Sequence, residues 1–307
     1  MIVGFIDEYR KVYGVESICR ALTAHGVQIA PRTYRKARRR PPSTRDVSDA
    51  YVENALRDLV GKPEQMYGRR KMTRYLRRQG YGVAFCTVDR IMRELGMNGV
   101  VRGRKQRTTI AGKDGVRAAD KLNRDFTAEA PNRVWVADFT YVSTWTGWAY
   151  RMAFVFDAYS RAIVGWTAAA TRTTALVSEA LNMAVWRRDH YGHPIEPGLI
   201  HHSDAGSQYT SVMFTESLAL QGLSASIGSV GDAYDNALAE SIIGLFKTEV
   251  VGRHGPFRTL GEVEFALMEW VDWYNNARLH SRLDYLTPTE YEAAYYSQQP
   301  PRRPALV

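Results

Sequence analysis

Asp138, Asp204 and Glu240 are three carboxylates set in three differently built segments, the last two separated by 35 residues. Asp138 interrupts the apolar run 133–142, Asp204 closes the short run 199–204, and Glu240 lies a few residues into the helical-looking stretch 236–247. Two strand-borne carboxylates and one helix-borne carboxylate are what a two-metal phosphoryl-transfer site needs. Mg²⁺ prefers hard oxygen donors, and two such ions can clamp the attacking and leaving oxygens of an in-line displacement. Strand alternation puts Asp138 on one face with Val134, Val136, Thr140 and Val142. A carboxylate there is costly unless it is bound to metal or neutralised, for which Arg151 and Arg161 are the nearby cations. Asp204 reads as a site residue at a strand's carboxyl end or as a helix cap. Glu240 shares its helix with Ile242, Ile243, Leu245 and Phe246, and Lys247, about two turns on, falls on the Glu240 face. His201 and His202 point to opposite faces of one strand, so at most one of them faces the carboxylates. Asp157 and Arg161 read as a structural pair across a turn, and Asp232 and Asp235 as turn and cap residues.

The elements that must hold these groups are legible in the periodicities. Runs 133–142, 149–156 and 161–167 are rich in Val, Phe, Trp and Tyr and are separated by turn residues, which predicts a three-stranded meander. A helix at 173–188, strand at 198–203, helix at 209–221, strand at 223–227, loop at 228–235, the Glu240 helix to about 251 and a helix at 260–277 follow. That order is the order of a ribonuclease H-like α/β domain, a mixed five-stranded sheet flanked by helices.

Ahead of it the chain reads as all-α. Residues 1–45 form short helices, with Ser17 as a cap and Pro31 at the first position of a third. A linker at 41–47 precedes a helical unit over 48–108, in which helices at 48–60 and 69–79, the Gly80–Gly82 turn and a Thr87-capped helix make a helix-turn-helix pattern. Val88, Ile91, Met92 and Leu95 give that last helix one apolar stripe, leaving Arg90 and Arg93 outward. Residues 109–130 are a basic connector, 131–255 the catalytic core and 256–307 a helical extension and tail.

Charge separates these regions. The whole chain of 307 residues carries +9, but residues 1–130 hold 28 Lys and Arg against 14 Asp and Glu, a net +14, and the remainder is net −5. A basic front on a weakly acidic back suggests a polyanion grip joined to a catalytic domain, with Arg69, Arg70, Lys71, Arg74, Arg90 and Arg93 as expected phosphate contacts. Cys19 and Cys86 are the only cysteines and are not in a paired spacing, which excludes a disulfide framework and a cysteine zinc site. No run of about 18 apolar residues and no secretion pattern occur, so the chain is expected to be soluble, cytoplasmic and without a membrane partner.

At this point the residues match a known pattern. Trp135 to Tyr141, Gly147 to Tyr150, Phe156 to Arg161, Ile163 to Trp166, His201 to Ser211, Tyr234 to Ser241, Lys247 to Glu249 and Tyr274 to Ser281 recur in order. The chain closely resembles the frame-B product of bacterial insertion sequence 3 family transposases, relatives of retroviral integrases, and the aspartate–35–glutamate spacing is a hallmark of that group. One departure is Ala205, where the family often has Arg. The resemblance implies a DDE-type enzyme in which Asp138, Asp204 and Glu240 hold two Mg²⁺, Mn²⁺ substituting, for 3′-end nicking and strand transfer. It further implies DNA contacts at Lys247, Gln208, Asn236 and Arg278. Its partners would be double-stranded DNA (terminal inverted repeats and target), further copies of itself on that DNA, and a frame-A protein or fusion, in a bacterial, nucleoid-associated setting. Two other readings stand beside it: a catalytically silent DNA-binding regulator of transposition, and a structure-specific nuclease of the same fold.

Overall fold

A computed structural model describes residues 2–101, 127–147, 149–171, 174–204, 209, 212–227 and 237–299. The chain divides into two compact units, Met1–Val60 and Gly61–Val307. The first contains helices α1 (Ile2–Tyr13), α2 (Val15–Ala24), α3 (Pro31–Arg39) and α4 (Thr44–Arg57). Ile6, Ile18, Cys19 and Tyr34 form its small core, and the Tyr34 hydroxyl donates to Asp7 at 2.7 Å. Two local expectations are corrected here. Gly14, at φ 75°, ends one helix and lets α2 begin at Val15, so Ser17 lies inside the first turn and caps nothing. The linker expected at 41–47 is shorter, because Ser43 and Asp46 form a reciprocal capping box that starts α4 at Thr44.

The second unit opens with α5 (Arg69–Arg78) and α6 (Phe85–Glu94), joined through Gly80 at φ 89°. Val88, Ile91 and Met92 are the buried stripe of α6, as its periodicity predicts. Thr87 sits within the first turn of α6, whose cap position is Ala84.

Five strands follow, β1 (Val134–Ser143), β2 (Ala149–Asp157), β3 (Ile163–Ala169), β4 (Ile200–Ser203) and β5 (Ser224–Ile227), in the order β3-β2-β1-β4-β5. The first three pair antiparallel and β4 and β5 add in parallel. Helices α7 (Thr174–His190), α8 (Val212–Leu220), α9 (Ala237–Phe246), α10 (Gly252–His254), α11 (Leu260–Asn276) and α12 (Pro288–Ser297) complete the unit, and a π-helical segment, Lys247–Val251, joins α9 to α10. Strand alternation divides the core in two. Val134, Val136 and Val142 pack with Ile242, Ile243 and Phe246 of α9 and with Val263, Leu267 and Trp270 of α11. Trp135 and Ala137 pack on the other face against Leu176, Ala180 and Leu181 of α7 and Phe214 and Leu218 of α8. This mixed five-stranded sheet with helices on both faces is a ribonuclease H-like fold, preceded in the chain by an all-α region. The expected Asp157–Arg161 pair is replaced by another: Asp157 is fully buried, accepts from the Asn132, Tyr159 and Ser160 amides, and faces the guanidinium of Arg188 at 3.6 Å.

Candidate active site

β1 and β4 run side by side in parallel, with Ala137 in register with Ser203. One step further along each strand stand Asp138 and Asp204. Because Val134 and Val136 pack toward α9, alternation sends Asp138 toward α9 as well. Glu240 lies in the first turn of α9, a helix anchored by Leu238, Ala239, Ile242, Ile243 and Phe246. The chain thus places one carboxylate in the middle of a long strand, one just past the end of its parallel neighbour and one on the helix that covers them.

The three carboxylates feel one another. The Asp138 carboxyl is held well above the usual carboxylate range, first by burial, then by the neighbouring Asp204, with Glu240 adding to it. The Phe139 amide, which donates to Asp138 Oδ1 at 2.8 Å, and the Lys247 ammonium act in the opposite direction. Arg151 is engaged elsewhere: its guanidinium donates to the carbonyls of Ala149 and Ala170 and lies over the Tyr141 ring. Among the described residues no three Asp, Glu, His or Cys side chains are already gathered closely enough to hold an ion.

Tyr209 belongs to this neighbourhood, and in the sequence it is marked only by lying within the stretch His201 to Ser211. Its ring is buried against Phe139, His201 and Phe214. Its hydroxyl finds no hydrogen-bond partner among the described residues, and burial followed by the Asp138 and Asp204 charges pushes its pKa well above the ordinary tyrosine value. The histidines divide as alternation predicts. His201 packs edge-on to Phe214, and burial pushes its pKa down to about 4. His202 on the opposite face pairs through Nδ1 with Ser226 Oγ at 3.0 Å.

The expected DNA contacts fare unevenly. Lys247 is exposed beyond Glu240 and acts on Asp138. Gln208 and Asn236 lie outside the described residues. Arg278 is corrected: it is 6% exposed, forks onto Glu249 inside the protein and presents no charge to a phosphate. Lys71 lies half-buried, its ammonium 4.9 Å from the Tyr67 ring centroid, and burial followed by the nearby Arg278 lowers its pKa to about 8. Arg69 and Arg93 share Asp89 at 3.0 and 2.5 Å, Arg90 pairs with Glu94, and Arg74 lies over the Tyr285 ring. Arg70 is exposed. None of this internal pairing is visible in a count of basic residues.

Known proteins resemble this chain over most of its length. Residues 128–233 and 221–288 match two models described as integrase core domain, and 49–105 match an HTH-like domain. The Mycobacterium tuberculosis (strain H37Rv) protein named as transposase for insertion sequence element IS986/IS6110 is 47% identical over 277 residues, 90% of this chain and 99% of that one. The Shigella sonnei transposase for insertion sequence element IS629 is 45% identical over 301 residues, covering 96% and 97%. Transposase InsF for insertion sequence IS3A of Escherichia coli K12 is 31% identical over 291 residues, covering 94% and 97%. Among solved structures, the HTLV-2 integrase catalytic core domain in complex with magnesium superposes with a TM-score of 0.41 at 18% identity, covering 53% of this chain and 98% of that one.

Proposed function

Because the chain belongs to the transposases of the insertion sequence 3 family, we propose that it nicks DNA at the 3′ ends of its own element and joins them to a second phosphodiester, with Asp138, Asp204 and Glu240 as the metal-binding carboxylates. The observation that supports this reading is the pairing of β1 with β4, Ala137 opposite Ser203, which sets Asp138 and Asp204 one step further along neighbouring strands, with Glu240 in the first turn of the helix packed on the β1 face that bears Val134 and Val136. Three oxygen donors with excess negative charge are a fit for hard divalent cations and a poor fit for thiophilic metals. Two Mg²⁺ ions, with Mn²⁺ as substitute, would supply Lewis-acid activation of a water or a 3′-hydroxyl and neutralise charge on the phosphodiester in transit.

The protein's own part is positioning. The sheet fixes Asp138 and Asp204 on neighbouring strands, α9 brings Glu240 over them, and Lys247 on the same face of that helix holds a backbone phosphate beside the reacting atoms. The helical region ahead of the core grips the element's terminal repeats, and target DNA enters at the carboxylates. Further copies of the chain and a frame-A protein complete the assembly in this reading. The test is Asp204→Asn assayed on duplexes carrying the element's terminal repeat. Cleavage and joining should vanish while binding stays within a few-fold of wild type. Cleavage that survives in this variant sinks the assignment.

A further inference from the structure

Two residues beyond Lys247 lies a carboxylate with no place in the chemistry above. Glu249 is 8% exposed and lies nine residues beyond Glu240 in the π-helical continuation of α9, buried where Glu240 is exposed. There it receives the Arg278 guanidinium, Nε donating at 3.1 Å to both carboxylate oxygens and Nη2 at 2.6 Å to Oε1. Trp270 Nε1 on α11 donates to Oε2 at 3.1 Å. Arg278 in turn lies 5.8 Å from the ring centroids of Trp273 and Tyr274, and the next amide, Leu279, donates to the Tyr67 hydroxyl at 3.0 Å. The two side chains that donate to Glu249, Arg278 and Trp270, thus sit among the rings of Trp273, Tyr274 and Tyr67.

A buried ion pair of this kind adds little stability over two apolar side chains of the same shape. A guanidinium fork does fix direction as well as distance. Its location gives that direction a use. Glu249 stands in the π-helical segment Lys247–Val251, where the regular α ladder of α9 breaks, and Thr248 Oγ1 donates back to the Gly244 carbonyl at 2.7 Å. Such breaks and back-bonds let a helix bend and turn. An anchor beyond the break adds directional hydrogen bonds to the apolar packing of Leu238, Ala239, Ile242, Ile243 and Phe246 that seats the rod bearing Glu240 and Lys247.

Building on the assignment of Asp138, Asp204 and Glu240 as the metal-binding set, we infer that Glu249, clamped by Arg278 and Trp270, is a positioning residue that sets the rotation of the α9 rod and so aims Glu240 and Lys247 at Asp138 and Asp204. Arg278 acts from inside the protein.

The experiment is a Mn²⁺ titration of the full chain without DNA, read by electron paramagnetic resonance, for wild type, Asp204→Asn, Arg278→Lys and the double variant Glu249→Met/Arg278→Met. The double variant exchanges the pair for apolar groups of similar volume and is checked by its melting transition. Arg278→Lys keeps a cation on Glu249 while losing the fork. Half-saturation should rise about tenfold in the double variant and several-fold in Arg278→Lys, the range seen when groups behind metal ligands are removed. On terminal-repeat DNA the same variants should lose kcat with KM unchanged. If wild type binds no Mn²⁺, or Asp204→Asn binds it equally well, the metal-site assignment itself fails. If wild type binds, Asp204→Asn does not, and a folded Arg278→Lys or double variant titrates like wild type, the clamp is overturned and the proposed function stands.

Discussion

Asp138 is half-buried in an apolar strand near two other carboxylates, and this determines how it behaves without a cation. Its pKa in the folded chain is raised by burial and by Asp204 and Glu240. A carboxyl raised on folding contributes stability below its unfolded pKa of about 4 and loses it as pH climbs through the folded value, so at neutral pH the ionised side chain destabilises the fold. Asp138→Asn should therefore melt higher than wild type at pH 7.5 in EDTA, by on the order of 1 kcal/mol. Added Mg²⁺ should raise the wild-type melting temperature and leave the variant unmoved. A variant that melts lower in EDTA would mean that the carboxylate is stabilised by something other than a dication. Asp138 was legible in the sequence because a charge inside a two-sided apolar run is anomalous by itself. Arg278 was not, because an arginine four residues after Tyr274 looks the same whether it faces solvent or, as here, a buried glutamate from another helix.

Elements were easier to read than their boundaries and seams. Alternation fixes a strand's two faces, so all five strands and the grouping of Asp138 with Val134, Val136 and Val142 follow from residue type alone, while the helix which that face meets does not. Caps and irregularities depend on what the backbone meets in three dimensions. Ser17 and Thr87 have the right chemistry for capping, yet their helices start two residues earlier. The π turn after Phe246 leaves no mark in the hydrophobic period. The seam between β3 and α7 is similarly hidden: a Cβ on Gly165 would come 2.9 Å from the Ala184 side chain and closer still to the Ala180 carbonyl. Gly165 is thus demanded by a helix that lies flush on the strand, and not by its own backbone angles. Gly165→Ala should force α7 outward and cost about 1–3 kcal/mol, the range for overpacking a tight core. The check is chemical denaturation, where a midpoint equal to wild type would show that the helix gives way freely.

At the scale of the whole molecule, the +14 on residues 1–130 promises a polyanion grip, but charge counted is not charge offered. Arg69 and Arg93 are held by one aspartate, Arg90 by Glu94, Arg78 by Glu290, and Lys71 sits against an aromatic ring. Among the basic residues of α5 expected to meet DNA, Arg70 is exposed with its charge directed to solvent. The phosphate term in DNA affinity follows the number of counterions released, with a slope of about 0.9 per phosphate contact on a plot of log K against log salt. Arg70→Ala should therefore weaken binding at low salt and flatten that slope by about one contact's worth. Arg93→Ala should flatten it less, because removing Arg93 frees Asp89 for Arg69 alone and exchanges one internal pair for a tighter one. Fluorescence anisotropy on a terminal-repeat duplex between about 50 and 200 mM salt resolves a difference of that size. Equal slopes for wild type and Arg70→Ala would move the DNA grip off α5 and onto other basic segments of the chain.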